Sequence, residues 1–269
     1  MSDIELSNVS YDYPGGVRAL DGVTLSIGQG QRLAIVGQNG SGKTTLIRHL
    51  NGLLRPTSGT VSVGGKDTKQ TRVAQLAAVV ALAFQDPDRQ IFGGTVESEV
   101  AFGARNLGVR GPALEEAVKV ALESVGLSAE RKTNPYDLGY SRRKLLTIAS
   151  VLAMQTPIVV LDEPTTGQDA RGVKTVEAIV KSVAAEGRTV IAVSHDLRFV
   201  AESFDRVVVM RSGRVILDGP PVDTFAETSW QLLRSTNLEP PYAATVGAKL
   251  GLGSTPTVES VVAALTNAR

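Results

Sequence analysis

Nine residues, GQNGSGKTT from Gly37 to Thr45, leave this chain few folds to adopt. They follow an apolar run, RLAIVG, and lead into TTLIRHLNGL, whose apolar spacing is helical. A glycine-rich turn between a strand and a helix is the setting in which this spacing makes a phosphate-binding loop. Gly37, Gly40 and Gly42 let the backbone curl so that its N–H groups face inward at a helix N-terminus. Asn39, Ser41 and Thr45 complete the loop. Lys43 adds a positive charge between the β- and γ-phosphates of a nucleotide, and Thr44 offers a hydroxyl to Mg²⁺. Taken alone, the stretch also reads as an ordinary turn before a helix.

A second stretch supplies the missing half. IVVLDEP, Ile158 to Pro164, is a wholly apolar strand that ends in two carboxylates. Its end places Asp162 at the carboxyl edge of a sheet, where ligands of parallel sheets bind. Asp162 would hold Mg²⁺, directly or through water. Glu163 would orient or deprotonate an attacking water. An acidic turn after a strand is otherwise a solvated turn, and only the loop upstream lifts it above that. VIAVSHD brings His195 to the end of another apolar strand, within reach of a γ-phosphate or the water. Gln85 ends the run VVALAF, where its amide can touch Mg²⁺ or the water; on its own it reads as a polar strand cap. Tyr13, before Pro14, can stack on adenine or lie in the core.

The remaining pattern fits an α/β fold with a mostly parallel sheet covered on both faces by helices. IELSNVSYDY, GVTLSI and GTVSVGG read as strands. LAAVVALAF reads as one buried strand. Thr95–Gly108, Pro112–Val125 and SRRKLLTIASVLAM read as helices, with Ser141 near the N-terminus of the third. GVKTVEAIVKSVAAEG is an amphipathic helix. RVVVMRSGRVILDG is a hairpin turning at Ser212-Gly213. A Pro-Pro break after Gly219 opens a last segment that holds the single Trp and short helices around 242–250 and 257–268.

Composition narrows the function classes. Apolar residues make up 42% of 269 and charged residues 20%, so a packed core is expected and wholesale disorder is not. A net charge of +1 argues against nucleic acid as the main partner. The chain has no cysteine, which removes disulfides and thiolate metal sites and fits the cytoplasm. The polar start MSDIELSNVSYDYP lacks the apolar stretch of a secretory signal. The longest apolar run, Leu76 to Phe84, is far short of the ~20 residues of a membrane-spanning helix. Any link to a membrane is therefore expected to come through a partner.

The loop, Gln85, the acidic strand end and His195 together resemble the ATPases of ABC transporters, in order and in spacing, over residues 1 to about 219. The resemblance implies a P-loop NTPase (RecA-like) fold with an antiparallel β subdomain, a helical subdomain inserted at about 86–151 and a C-terminal helical extension at 220–269. It implies ATP and Mg²⁺ as cofactors, Tyr13 as the adenine-stacking aromatic, and hydrolysis between two ATPase subunits. It also implies that PTTGQDA is a dimer-interface loop with Asp169 across the two-fold axis. FQDPDRQIFGGTVESEVAFGARNLG, and a tail containing NLEPP, resemble the ATPases of energy-coupling-factor (ECF) vitamin and cobalt importers. There DPDRQIF grips a transmembrane coupling protein, and a membrane substrate-binding component completes the complex at the cytoplasmic face. The extension is expected to make a dimer contact.

One stretch departs from that family. Where a Leu-Ser-Gly-Gly-Gln turn caps the nucleotide of the opposite subunit, this chain has Leu138-Gly139-Tyr140-Ser141-Arg142. Gly139 lacks the hydroxyl, and Tyr140 puts a ring where backbone should approach phosphate. Ser141 can supply a hydroxyl two residues late, and Arg142 and Arg143 can add charge. The expectation is a heterodimer with one efficient and one weak ATP site, this chain's P-loop lying in the efficient one, with a homodimer as the alternative. Two other functions stay open: an ATP-binding regulatory subunit that scarcely hydrolyses, and, less well supported, an ATPase acting on ribosomes or DNA.

Overall fold

Strands that are apolar at every position can be buried only in a sheet covered on both faces. The computed structural model, which describes residues 2–267, places them in such a sheet. Along the chain, β1 (Ser2–Asp12) and β2 (Arg18–Gly28) precede β3 (Arg32–Val36), which leads through the glycine-rich loop into α1 (Lys43–Leu50). β4 (Ser58–Val63), β5 (Lys66–Asp67), the single turn α2 (Val73–Leu76) and β6 (Val80–Ala83) follow. α3 (Val96–Asn106), α4 (Gly111–Ser124) and α5 (Tyr140–Leu152) come before β7 (Ile158–Asp162). Then come α6 (Ala170–Ala185), β8 (Thr189–Val193), α7 (Leu197–Ser203) and the hairpin of β9 (Arg206–Arg211) and β10 (Arg214–Gly219).

The main sheet has the order β10-β9-β3-β8-β7-β6. It is parallel except for β10, which pairs antiparallel with β9. A second sheet, β2-β1-β4-β5, is antiparallel. Period-two alternation divides the buried side chains between two cores. Val159 and Leu161 of β7 face the helices, with Leu146 and Ile148 of α5, Val176 of α6 and Phe199 of α7. Ile158 and Val160 face the other way, onto Leu46 and Leu50 of α1 and onto Ile4, Leu25 and Val61 of the antiparallel sheet. The expected α/β P-loop fold is the observed one.

One local expectation changes. The run Leu76–Phe84 is not one strand: its start is the end of α2, with Leu76 fully buried, and pairing begins at Val80 opposite Ile158. The alanines favour the helical turn, and β-branched Val80 starts the strand. Ser141 lies near the N-terminus of α5 as expected, one residue past its start, while the N-cap is Gly139 without a side-chain bond. The hairpin turns at Ser212 and Gly213 as expected, both with positive φ.

Beyond β10 lie α8 (Pro221–Thr224), α9 (Trp230–Arg234), α10 (Tyr242–Lys249) and α11 (Val258–Asn267). Phe225, Leu233, Leu238 and Ala244 join the helix-side core, and Trp230 Nε1 donates to the Phe225 carbonyl at 2.9 Å. α11 by contrast leaves Val258, Val262 and Leu265 exposed. Among the described residues no helix is long and apolar enough to cross a membrane.

Candidate functional site

Parallel strands end on one edge, so the residues that follow β3, β6, β7 and β8 are brought together there. The register makes this concrete: Ala83 lies beside Leu161, Asp162 beside Val193, and Ile35 beside Val193. The glycine-rich loop, Gln85, Asp162–Glu163 and His195 therefore share that edge.

The loop closes tightly onto α1. Gly42 caps the helix with φ +103, and a Cβ there would fall 2.4 Å from the Ala19 carbonyl oxygen, so no larger residue fits. Lys43 is buried, and its ammonium donates to the carbonyls of Gly37 at 2.7 Å and Gln38 at 2.9 Å. Burial lowers its pKa, while the carboxylates of Glu163 and Asp162 oppose that shift. A phosphate group can replace those carbonyls as the partner of the ammonium.

Asp162 is buried and accepts from Thr44 Oγ1, at 3.2 and 3.5 Å to its two oxygens. Burial, and then Glu163, raise its pKa, with Thr44, Lys144 and Arg48 acting in the opposite direction. Glu163 takes the left-handed conformation, φ +50, uncommon for a non-glycine residue and frequent at functional sites. That bend turns its buried carboxylate toward His195, whose Nδ1 donates to Glu163 Oε2 at 2.7 Å. The His195 side chain itself is largely exposed. The pair can orient or deprotonate a water while holding the carboxylate fixed.

A cleft of ≈ 330 Å³ runs along this edge, lined among others by Tyr13, Arg18, Asn39, Gly40 and Gln85. Lys43, Thr44, Thr45 and Glu163 also face it. The Tyr13 hydroxyl shares a hydrogen bond with Thr45 Oγ1 at 3.0 Å, and its ring meets Tyr11 edge-on. A second cleft of ≈ 480 Å³ adjoins it through Asn39, Gln85 and Glu163, and carries Gly37 and His195 on its wall. Ser41 lines neither: its side chain is buried and its hydroxyl has no partner. It serves the loop through its backbone, its N–H bonding to Gln38 and its carbonyl accepting from Gly213.

The donor set suits Mg²⁺ with a nucleotide triphosphate. Among the described residues no group of three or more His, Cys, Asp or Glu could cage a metal. One hydroxyl and one buried carboxylate in contact, with the Gln85 amide nearby, are what Mg²⁺ needs when phosphates and water supply its other ligands. Thr44, Asp162 and Gln85 would hold it, and it would neutralise charge on the transferring phosphate. Ionised Asp162 is costly to bury without a cation. Asp162→Asn should therefore raise the melting temperature of the nucleotide-free chain by about 2–4 °C per kcal/mol relieved. The same variant should abolish magnesium-dependent turnover, a divergence that calorimetry and a phosphate-release assay would register.

The rewritten turn is engaged within its own chain. Ser141 Oγ donates to Gln168 Oε1 at 2.7 Å, and Gln168 Nε2 donates back to the Ser141 carbonyl at 2.9 Å. The Tyr140 ring lies over Gly167, where a Cβ would come within 2.7 Å of Tyr140 Cε1. Arg142 pairs with Glu130, and Arg143 with Asp88 at 3.0 Å. The hydroxyl and the two charges expected to compensate for the lost Ser-Gly-Gly are thus already partnered. Asp169 caps α6 through the Gly172 N–H at 2.7 Å.

Three residues that line the site carry no role in the sequence reading, although each lies in a stretch quoted there. Gln38 and Thr166 line the second cleft, and so does Asn237, which bonds to Gln38 at 2.8 Å from 199 positions away. Only the fold brings Asn237 there. Lys144 was legible in principle, as a lysine in the apolar stripe that continues through Ile148 and Val151 of α5.

Comparison with known proteins agrees with this geometry. The ABC transporter family profile matches residues 20–166, more than half of the chain. The energy-coupling factor transporter ATP-binding protein EcfA of Methanothermobacter thermautotrophicus is 39% identical over 243 residues, which cover 90% of this chain and 78% of that protein. A Caldanaerobacter subterraneus relative, named for ABC transporter ATP binding, is 40% identical over 248 residues. The match takes in 92% of this chain but only 43% of that longer protein. Among solved structures, cbiO1 of Clostridium perfringens, part of the ABC transporter complex cbiONQ, superposes with a TM-score of 0.77 at 33% identity. That match covers 93% of this chain and 99% of cbiO1. Fold, site and relatives converge: the chain belongs to the ABC transporter family, as one of its ATP-hydrolysing cassettes.

Proposed function

We propose that this chain is the ATPase subunit of an ECF-type importer of a micronutrient, a vitamin or a transition-metal ion. It works as one half of an asymmetric pair with a second, unlike ABC ATPase, bound peripherally at the cytoplasmic face of the membrane. Its neighbours there are a transmembrane coupling protein and a membrane substrate-binding component. Within its own site, the loop Gly37–Thr45 holds the phosphates and Tyr13 the adenine. Glu163, held by His195, directs the water, and Gln85 completes the metal side. ATP binds the closed pair more tightly than the open one, and that difference is what drives closure. The helices of residues 86–151 carry the movement to the membrane partner.

The observation that carries the importer reading is an exposed aromatic pair. Phe92, in the DPDRQIF segment, and Phe102 of α3 are 61% and 44% exposed, with ring centroids 4.5 Å apart. They stand at an apolar groove of ≈ 540 Å³ between α3, α5 and the end of β6. Large exposed aromatics beside a groove are typical anchors for a protein partner. The relatives EcfA and cbiO1 support the ECF assignment by their names and by the extent of their likeness. Asymmetry is supported by the turn, whose donors are spent in cis.

Purification of the tagged chain from native membranes tests this. The expected companions are a membrane protein and a different ABC ATPase. Phe92→Asp should cut recovery of the membrane protein by about tenfold or more, the loss of one strong anchor, and leave the ATPase pair together. Recovery of the chain with copies of itself alone would rule out the asymmetric pair. Absence of any membrane protein would rule out the importer.

A further inference from the structure

We propose that Lys144 is a positioning residue for ATP hydrolysis: from α5 it pins the backbone of Gln85 and of Asp162 in one fixed relation. Lys144 is only 1% exposed, among the largest fully buried side chains of the described residues. Its ammonium donates to the carbonyls of Phe84 at 2.9 Å, Gln85 at 2.5 Å and Asp162 at 2.9 Å. An ammonium has three N–H donors, and each finds an acceptor here. Burial pulls its pKa down to about 8, and the carboxylates of Asp162, Glu163 and Asp86 oppose that shift.

The location gives the contact its meaning. β6 and β7 pair up to Ala83 opposite Leu161, and no ladder pair joins them beyond that point. Phe84, Gln85 and Asp162 lie past the last pair, where the strands part to make room for the site. Lys144 replaces the missing ladder there. Gln90 assists from the same side: its Oε1 accepts from Phe84 N at 2.9 Å, and its Nε2 donates to the Thr147 carbonyl of α5 at 3.2 Å. Both backbone groups of Phe84 are thus held by side chains tied to α5. Gln85 and Asp162 would reach a bound metal and its water from different strand ends, so their spacing would decide whether the reacting groups align. A misplacement of about 1 Å in such a constellation can cost about 10²-fold in rate.

α5 also begins at the Tyr140–Ser141 turn. One rigid helix therefore joins the turn offered to a partner's nucleotide to the two residues that set this chain's own metal site. The inference rests on the ATPase activity and not on the solute or on the identity of the second subunit.

Lys144→Met, similar in length and apolar, removes the three bonds. In the isolated chain, hydrogen exchange at the amides of Phe84–Asp86 should quicken by about 10-fold as local opening becomes easier. Affinity for ATP without magnesium, set by the loop Gly37–Thr45, should stay within about twofold. In the complex that copurifies with the chain, kcat should fall about 10–100-fold with KM little changed. Lys144→Gln keeps an amide donor and should recover part of both losses. If Lys144→Met does not fold, Lys144→Gln decides, with kcat lowered about 3–10-fold at unchanged magnesium-free affinity. Wild-type exchange and wild-type kcat in a folded Lys144→Met would overturn the assignment. So would a parallel fall of magnesium-free affinity, melting temperature and kcat in both variants, which marks a merely structural lysine. Exchange and magnesium-free binding need no membrane partner, so their outcome stands apart from that of the importer reading.

Discussion

Glu163→Gln is expected to lower ATP turnover of the purified complex by about 10²-fold or more while leaving ATP binding within about twofold. The substitution preserves shape, and the amide oxygen can still accept from His195 Nδ1, which now holds the carboxylate at 2.7 Å. What is lost is the negative charge and basicity aimed at the water. Binding survives because the loop Gly37–Thr45, with Lys43 and Thr44, makes its contacts independently of Glu163. His195→Ala should cost less, since the carboxylate remains but loses its brace. Steady-state kinetics, with nucleotide binding measured separately, checks both. A regulatory subunit that hydrolyses little would show the same turnover and transport with Glu163→Gln as without it.

The second large effect concerns the turn. In the proposed pair, residual turnover in the Glu163→Gln background should come from the nucleotide in the partner's P-loop, which this chain's turn would cap. Restoring the family pattern by Gly139→Ser, Tyr140→Gly and Ser141→Gly together should raise that residual rate by about 10–100-fold. One positioned donor in such a site is typically worth about 10²–10³. The gain has two physical sources: a hydroxyl at the helix start, and backbone free to approach phosphate once the ring over Gly167 is gone. Gln168→Ala alone serves as a control. It releases the Ser141 hydroxyl from its 2.7 Å bond but leaves it two positions late, so the rate should change by less than about twofold. Single-site turnover in the three backgrounds decides. No gain on restoring the turn would mean that the weak site is limited elsewhere.

Legibility followed the range of the interactions. The loop from Gly37 to Thr45 was readable because its function depends on neighbouring residues, and Gly42 meets a local demand for positive φ. IVVLDEP and VIAVSHD were readable because a strand buried on both faces must be apolar throughout and ends abruptly at its polar residues. The run from Leu76 to Phe84 was misread in part because a short apolar segment carries no period that separates a helical turn from a strand. Pairing with Ile158 decided where the strand began.

The turn shows the boundary between the two kinds of knowledge. That Gly139, Tyr140 and Ser141 depart from a phosphate-capping pattern is visible in the five residues Leu138–Arg142. That Ser141 bonds Gln168, that Arg142 and Arg143 are spent on Glu130 and Asp88, and that Lys144 spans two strand ends is not. Sequence by itself determined the fold, the glycine-rich loop and the order in which the candidate site residues reach one sheet edge, because each is encoded by local backbone demands and by strand-length apolar runs. Only the tertiary structure decided which donors remain free to act and where Asn237 and Lys144 sit. Those are contacts between residues 12 to 199 positions apart, and no local pattern of residue types can encode a partner at such separations.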